Sequence, residues 1–175
     1  MTEMFLERTF DSGLQVSDVL EMARGSASCY SLYRVEWNQS FLAADGQRLL
    51  CWFSAPDAES TRQALRQAGL SESAWPGTVH DAAAPDAPTW QEANVLVARR
   101  WDEPVTLEQV QAVEDAGAHC LENHRVRFAR TFFSTDQKRM MCLYQAPDAE
   151  SVRMAQRQAG MPVERIWAFS GVRDL

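Results

Sequence analysis

Ala55-Pro56-Asp57-Ala58-Glu59-Ser60 returns letter for letter as Ala146-Pro147-Asp148-Ala149-Glu150-Ser151. Arg66-Gln67-Ala68-Gly69 returns as Arg157-Gln158-Ala159-Gly160. Both pairs stand 91 residues apart, and the same shift aligns Arg8 with Arg99, Cys29 with Cys120, Phe41 with Phe132, Asp45 with Asp136 and Cys51 with Cys142. Between Arg8 and Gly69, 23 of 62 positions are identical without a gap, far above what chance supplies. The chain is therefore a tandem duplication. Its 175 residues divide into a first unit over 1–80, an Ala/Pro-rich linker over 81–93 and a second unit over 94–175.

One unit reads as follows. Met4, Leu6, Arg8 and Phe10 alternate with polar positions, as do Val95, Val97, Arg99 and Trp101, which is the period of a strand. Ser17 to about Tyr30 spaces its apolar residues as a helix, and the second copy opens on the capping-box pattern Thr106-Leu-Glu-Gln109. Val35, Trp37, Gln39 and Phe41 begin a second strand, repeated by Val126, Phe128, Arg130 and Phe132. Ala44-Asp45-Gly46 predicts a hairpin turn, with Asp136-Gln137 as its copy. Arg48 to Ser54 is apolar on both faces and so predicts a central strand. Asp57 caps a second helix that ends at Ala68-Gly69-Leu70, and a last strand lies near Trp75 to His80 and near Arg165 to Val172. The order β-α-β-β-α-β, twice, predicts an α+β fold of two tandem ferredoxin-like units packed as a pseudo-dimer, with a ligand pocket expected where the two meet.

Composition narrows the function classes. Asp plus Glu number 24 against 17 Lys plus Arg, a net charge of −7, which argues against a general nucleic-acid binder. No apolar run approaches a membrane span. The start, Met1-Thr2-Glu3-Met4-Phe5, lacks a signal peptide's basic region, so a cytoplasmic protein is expected.

Glu7-Arg8-Thr9-Phe10, Trp37-Asn-Gln-Ser40, Cys51-Trp-Phe-Ser-Ala-Pro-Asp57 and Ala68-Gly69-Leu70, with the second copies Cys142-Leu-Tyr-Gln-Ala-Pro-Asp148 and Ala159-Gly160-Met161-Pro162, form a motif set. It resembles a family of ferredoxin-like domains of unknown function that includes nickel-binding proteins. The resemblance covers nearly all of both units and implies a ferredoxin-like fold that dimerises, and nickel or another divalent transition metal as a cofactor. Members commonly carry a His in strand two before the Ser, and another inside the second helix. Here those positions hold Gln39 or Arg130, and Ala64-Leu65 or Ala155-Gln156. A nickel site built on those histidines does not carry over.

Two groups of residues are candidates for chemistry. Arg8 and Arg99 each fall on the apolar face of a first strand. A buried guanidinium needs a partner: either an anionic ligand, carboxylate or phosphate, with Glu7 beside it, or an intrachain ion pair with Glu7, Glu36, Asp11 or Asp102. His119, Cys120 and His124, with Glu122, cluster in the second unit only, and imidazole with thiolate suits nickel, zinc or copper. The same residues also suit a solvated helix end with one buried thiol. The four cysteines show no C-x-x-C spacing and read as free buried thiols. The six tryptophans read as aromatic core, or as the walls of a site for a flat apolar ligand. No catalytic triad, phosphate loop or zincin motif is present, and no residue is assigned as catalytic.

The reading is a cytoplasmic binding protein for a metal ion or small molecule, non-enzymatic, without nucleic-acid or membrane partners and with scope for self-association. The alternative is an enzyme of the dimeric α+β barrel type, monooxygenase- or isomerase-like, with Arg8 and Arg99 orienting a substrate. A purely structural module is a third possibility.

Overall fold

Alternating apolar positions build β1 from Thr2–Thr9, burying Met4 and Leu6 in the core while Phe5 packs its ring 4.7 Å from that of Trp75. A computed structural model describes residues 1–70 and 73–174; Ser71, Glu72 and Leu175, which fall in the expected domains 1–80 and 94–175, lie outside the described residues. After β1 come α1 (Val16–Leu32), β2 (Glu36–Ala43), β3 (Arg48–Ala55), α2 (Ala58–Gln67) and β4 (Ala74–Asp81). The second copy runs β5 (Val95–Arg100), α3 (Leu107–Ala116), α4 (Ala118–Asn123), β6 (Arg127–Ser134), β7 (Arg139–Gln145), α5 (Ala149–Ala159) and β8 (Arg165–Val172). The order is β-α-β-β-α-β twice, with the first helix of the second copy broken in two. The fold is α+β, made of two tandem ferredoxin-like units.

The first compact unit comprises Met1–Gly77 and Phe169–Leu175, and the second Thr78–Ala168. The tail residues 169–174, placed with the second unit by the expected boundary at 94–175, thus group with the first. In the first unit β3 lies between β1 and β2, all antiparallel, with Ala74–Gly77 of β4 beside β1 and Phe169–Val172 of β8 beside β2. In the second, β7 lies between β5 and β6, with Arg165–Ala168 of β8 beside β5. The strands predicted to be central are β3 and its copy β7. Both β2 and β6 carry a register shift at equivalent points, Trp37/Gln39 and Phe128/Arg130.

Helix ends follow the sequence signals. Asp57 and Asp148 accept hydrogen bonds from the backbone N–H of Ser60 and Ser151. Gly69 and Gly160 adopt φ of +81° and +69° just past α2 and α5, which lets Leu70 and Met161 donate back to the Leu65 and Gln156 carbonyls. The helices cover one face of each sheet. Val19, Ala64 and Leu65 meet Met4, Leu6, Leu49 and Phe53 in one core. Val110, Leu121, Val152 and Ala155 meet Val95, Val97, Met140 and Tyr144 in the other.

The break between α3 and α4 falls at Gly117. Its N–H bonds back to the Val113 and Glu114 carbonyls, and a Cβ there would stand 2.4 Å from the Cβ of Ala159. Close approach to α5 at this point therefore requires a glycine. The expected linker 81–93 is no free connector either. Ala82 donates its N–H to the Ala129 carbonyl at 3.0 Å, Thr89 opens a 3-10 turn over Trp90–Glu92, and Arg130 lies 5.1 Å over the Trp90 ring. Residues 81–93 are part of the second unit.

Candidate functional site

Arg99 is fully buried. Its Nη1 donates to the Pro162 carbonyl at 2.7 Å, and its Nη2 to Gln156 Oε1 at 2.7 Å and to Tyr144 Oη at 3.0 Å. Tyr144 Oη in turn donates to Glu114 Oε1 at 3.0 Å. None of the guanidinium's acceptors is a carboxylate, so the expected ion pair with Asp102 is corrected: compensation reaches Arg99 through a phenol, from Glu114. Two donors in this array, Arg99 Nε and Gln156 Nε2, are buried without a hydrogen-bond acceptor. Burial pushes the Tyr144 hydroxyl well up and the Cys142 thiol up, so both stay neutral. Burial also raises the Glu114 carboxyl above the ordinary glutamate value, against the lowering effects of the Tyr144 hydrogen bond and the Arg99 charge.

The same position in the first unit is built differently. Arg8 has Nη1 4.0 Å from the Met22 sulfur, and its guanidinium carbon lies 4.9 Å over the Phe10 ring. Glu7 accepts a hydrogen bond from Trp75 Nε1 at 3.1 Å. Under the 91-residue shift, Glu114, Tyr144 and Gln156 replace Ala23, Phe53 and Leu65. Three positions around the shared arginine are apolar in the first copy and polar in the second. Sequence reasoning missed this array, yet subtracting one copy from the other would have found it.

Glu114 opens onto a groove of about 760 Å³ in the second unit. One wall is α3 and α4, through Glu114, Ala118 and Leu121; another is the start of β6, through Phe128; the third is segment 82–88. The first unit has a groove of about 660 Å³ at equivalent residues: Ala23, Ala27, Tyr30, Val35 and Trp37 occupy the positions of Glu114, Ala118, Leu121, Val126 and Phe128. Arg34 and Arg125 stand at matching points of the two rims and share a left-handed backbone, φ +56° and +57°, a conformation that costs an arginine on the order of 1 kcal/mol.

The three expected metal ligands do not come together as one set. His124 Nε2 lies 3.0 Å from Gln158 Oε1. Cys120 is buried, while His119 is exposed with Nε2 3.5 Å from the Cys120 sulfur. Among the described residues no group of three or more His, Cys, Asp or Glu side chains could hold a metal ion. The strand-two position that carries the family's His fits nickel no better in the second unit: Arg130 there is a permanent cation, bonded to Asp81 at 2.5 and 3.0 Å. His119, Cys120 and His124 thus stand with their side chains engaged separately rather than gathered on one point.

Comparison with known proteins places these features. The crystal structure of SCO4226 from Streptomyces coelicolor A3(2) is 22% identical over 42% of this chain and 91% of its own length, with a TM-score of 0.38. A mutant chlorite dismutase from Candidatus Nitrospira defluvii is 10% identical over 97% of this chain and 91% of its own, with a TM-score of 0.53. A second mutant of it, in complex with cyanide, is 10% identical over 97% and 90%, with a TM-score of 0.51. At such identity the likeness to the chlorite dismutase is one of fold. No curated protein matches the chain in sequence. The model of the nickel responsive protein SCO4226-like family matches residues 5–73 and again 96–168. With one match in each repeat and most of the sequence covered, the chain belongs to the nickel responsive protein SCO4226-like family.

Proposed function

We propose that the chain is a non-enzymatic small-ligand-binding protein and that its site is the groove of the second unit. The observation that carries this reading is Glu114: a carboxyl lifted by burial, held by the buried Tyr144, itself bonded to Arg99, and set in the wall of a cavity with room for a small organic molecule. The test is a two-dimensional NMR titration with indole, a neutral aromatic probe of the apolar floor. Saturable shifts at Leu121, Val126 and Phe128 are expected. Shifts spread over the surface, or none, overturn the reading.

Nickel is the ligand that the family's name carries, and a cytoplasmic nickel-responsive role is the finer form of this reading. The donor sets described above do not fit it, so nickel chloride is the second arm of the same titration. Stoichiometric binding that broadens His119 and His124 would restore the metal site. The enzymatic alternative draws on the raised Glu114, a group suited to proton transfer. A bound ligand that NMR recovers chemically unchanged after long incubation supports binding over isomerase- or monooxygenase-like turnover.

A further inference from the structure

We propose that the groove of the second unit selects small organic cations, an ammonium group carried on an aromatic or aliphatic body. This rests on the reading of that groove as the binding site. The floor is apolar, through Leu121, Val126 and Phe128, which suits a hydrocarbon body. Two of the acidic residues along it are already engaged: Asp81 by Arg130, and Asp86 by Arg127 at 3.5 Å. Glu114, Asp115 and Glu122 then face the cavity against Arg125 at the rim. Glu114 is the residue at which this charge meets the apolar wall, since its carboxyl is half-buried and is bonded to Arg99 through Tyr144 Oη rather than directly.

The first unit supplies an internal comparison. In its groove Arg24 pairs with Asp174 at 3.3 Å, and Arg34 and Glu36 are the other charged residues that line it. Ala23, Arg24 and Ser31 stand where the second unit has Glu114, Asp115 and Glu122. One cavity shape thus occurs twice, with acids and arginines in equal number along the first copy and acids in excess along the second. A desolvated carboxylate draws an ammonium group more strongly than an exposed one does, because little water lies between them to screen the attraction. A carboxylate ligand of the same size meets like charge at the same point.

The experiment is an NMR titration of the whole chain with three probes of one shape: benzylammonium, benzyl alcohol and benzoate. Each is followed at Phe128 and Val126, in the wild type and in Glu114→Gln. Benzylammonium is expected to bind at least about tenfold more tightly than benzyl alcohol, with benzoate weakest, and Glu114→Gln is expected to abolish the difference. Equal affinities for the cation and the alcohol, or benzoate binding best, overturn the proposal while leaving the groove as a binding site. No saturable shift with any probe overturns the groove reading as well. The unsubstituted protein alone decides the ranking, so the proposal stays testable if Glu114→Gln fails to fold.

Discussion

The hydroxyl of Tyr144 stands 3.0 Å from Arg99 Nη2 and 3.0 Å from Glu114 Oε1, accepting from the first and donating to the second. One phenol thereby joins a fully buried cation to a half-buried carboxyl. Tyr144→Phe removes the junction and little volume, and a phenylalanine already occupies the equivalent position 53. The variant is expected to fold and to lose about 2 kcal/mol, the cost of leaving buried charged groups without a partner. Urea unfolding followed by tryptophan fluorescence measures it. A loss below about 0.5 kcal/mol would show that the array does not depend on the hydroxyl.

Glu114 makes the stability of the second unit depend on pH in a defined direction. Burial is the main cause of its raised pKa, so the folded state binds its proton more readily than the unfolded chain does. Its contribution is complete below the ordinary glutamate value and is lost as pH rises through the folded one. Relative to Glu114→Gln, the wild type should therefore lose stability as the pH is raised from about 4 toward neutrality. The groups facing this carboxyl are Arg99, Tyr144, Cys142 and Asp115, and burial keeps the tyrosine and the thiol neutral in that range. Parallel stability curves for the two proteins would contradict the assignment.

The pair Asp81–Arg130 works in the opposite sense. The Arg130 hydrogen bond is the main cause of the lowered Asp81 pKa. Its contribution is present above the ordinary aspartate value and is lost as pH falls through the folded one. Asp81 is largely exposed, so the effect is small. Asp81→Asn should differ from the wild type at pH 7 and converge with it near pH 2 to 3. Acid titration of the two proteins, followed by Trp90 fluorescence beneath Arg130, reads this directly.

Gly117→Ser places at the helix break the residue found at the equivalent position 26. A Cβ at 117 meets Ala159 Cβ at 2.4 Å, so α5 must shift. A destabilisation of about 1–3 kcal/mol is expected, the range for an overpacked contact. Gly117→Ser combined with Ala159→Gly should recover most of it. Thermal denaturation of the single and double variants checks both expectations, and failure of the pair to recover would place the strain elsewhere.

These residues also show how far the fold could be read from sequence. The repeat, the caps at Asp57 and Asp148 and the closing glycines at 69 and 160 are local signals, and each appears in the structure where the chain predicts it. Gly117 was not legible as a break, because its reason is a neighbour 42 residues away, Ala159. The candidate site was legible in part. Arg99 stood out as a charge on an apolar strand face, but its partners come from β7, α5 and the Pro162 carbonyl beyond α5. Of the acids offered as ion-pair partners, Glu7, Glu36, Asp11 and Asp102, none is an acceptor for Arg99. The grouping of His119, Cys120 and His124 rested on spacing along a helix, which does not say which way each ring turns, and His124 turns to Gln158.

Segment 82–88 matters beyond its place in the second unit. A duplication needs a connector only for length, and the 91-residue repeat dictates nothing about what that connector touches. Here it became a wall of the cavity. The second unit's groove therefore takes one boundary from residues that lie outside both family-matched repeats. Selection acting on a few alanines and prolines there can reshape one site while leaving every duplicated strand and helix, and the other copy's groove, untouched.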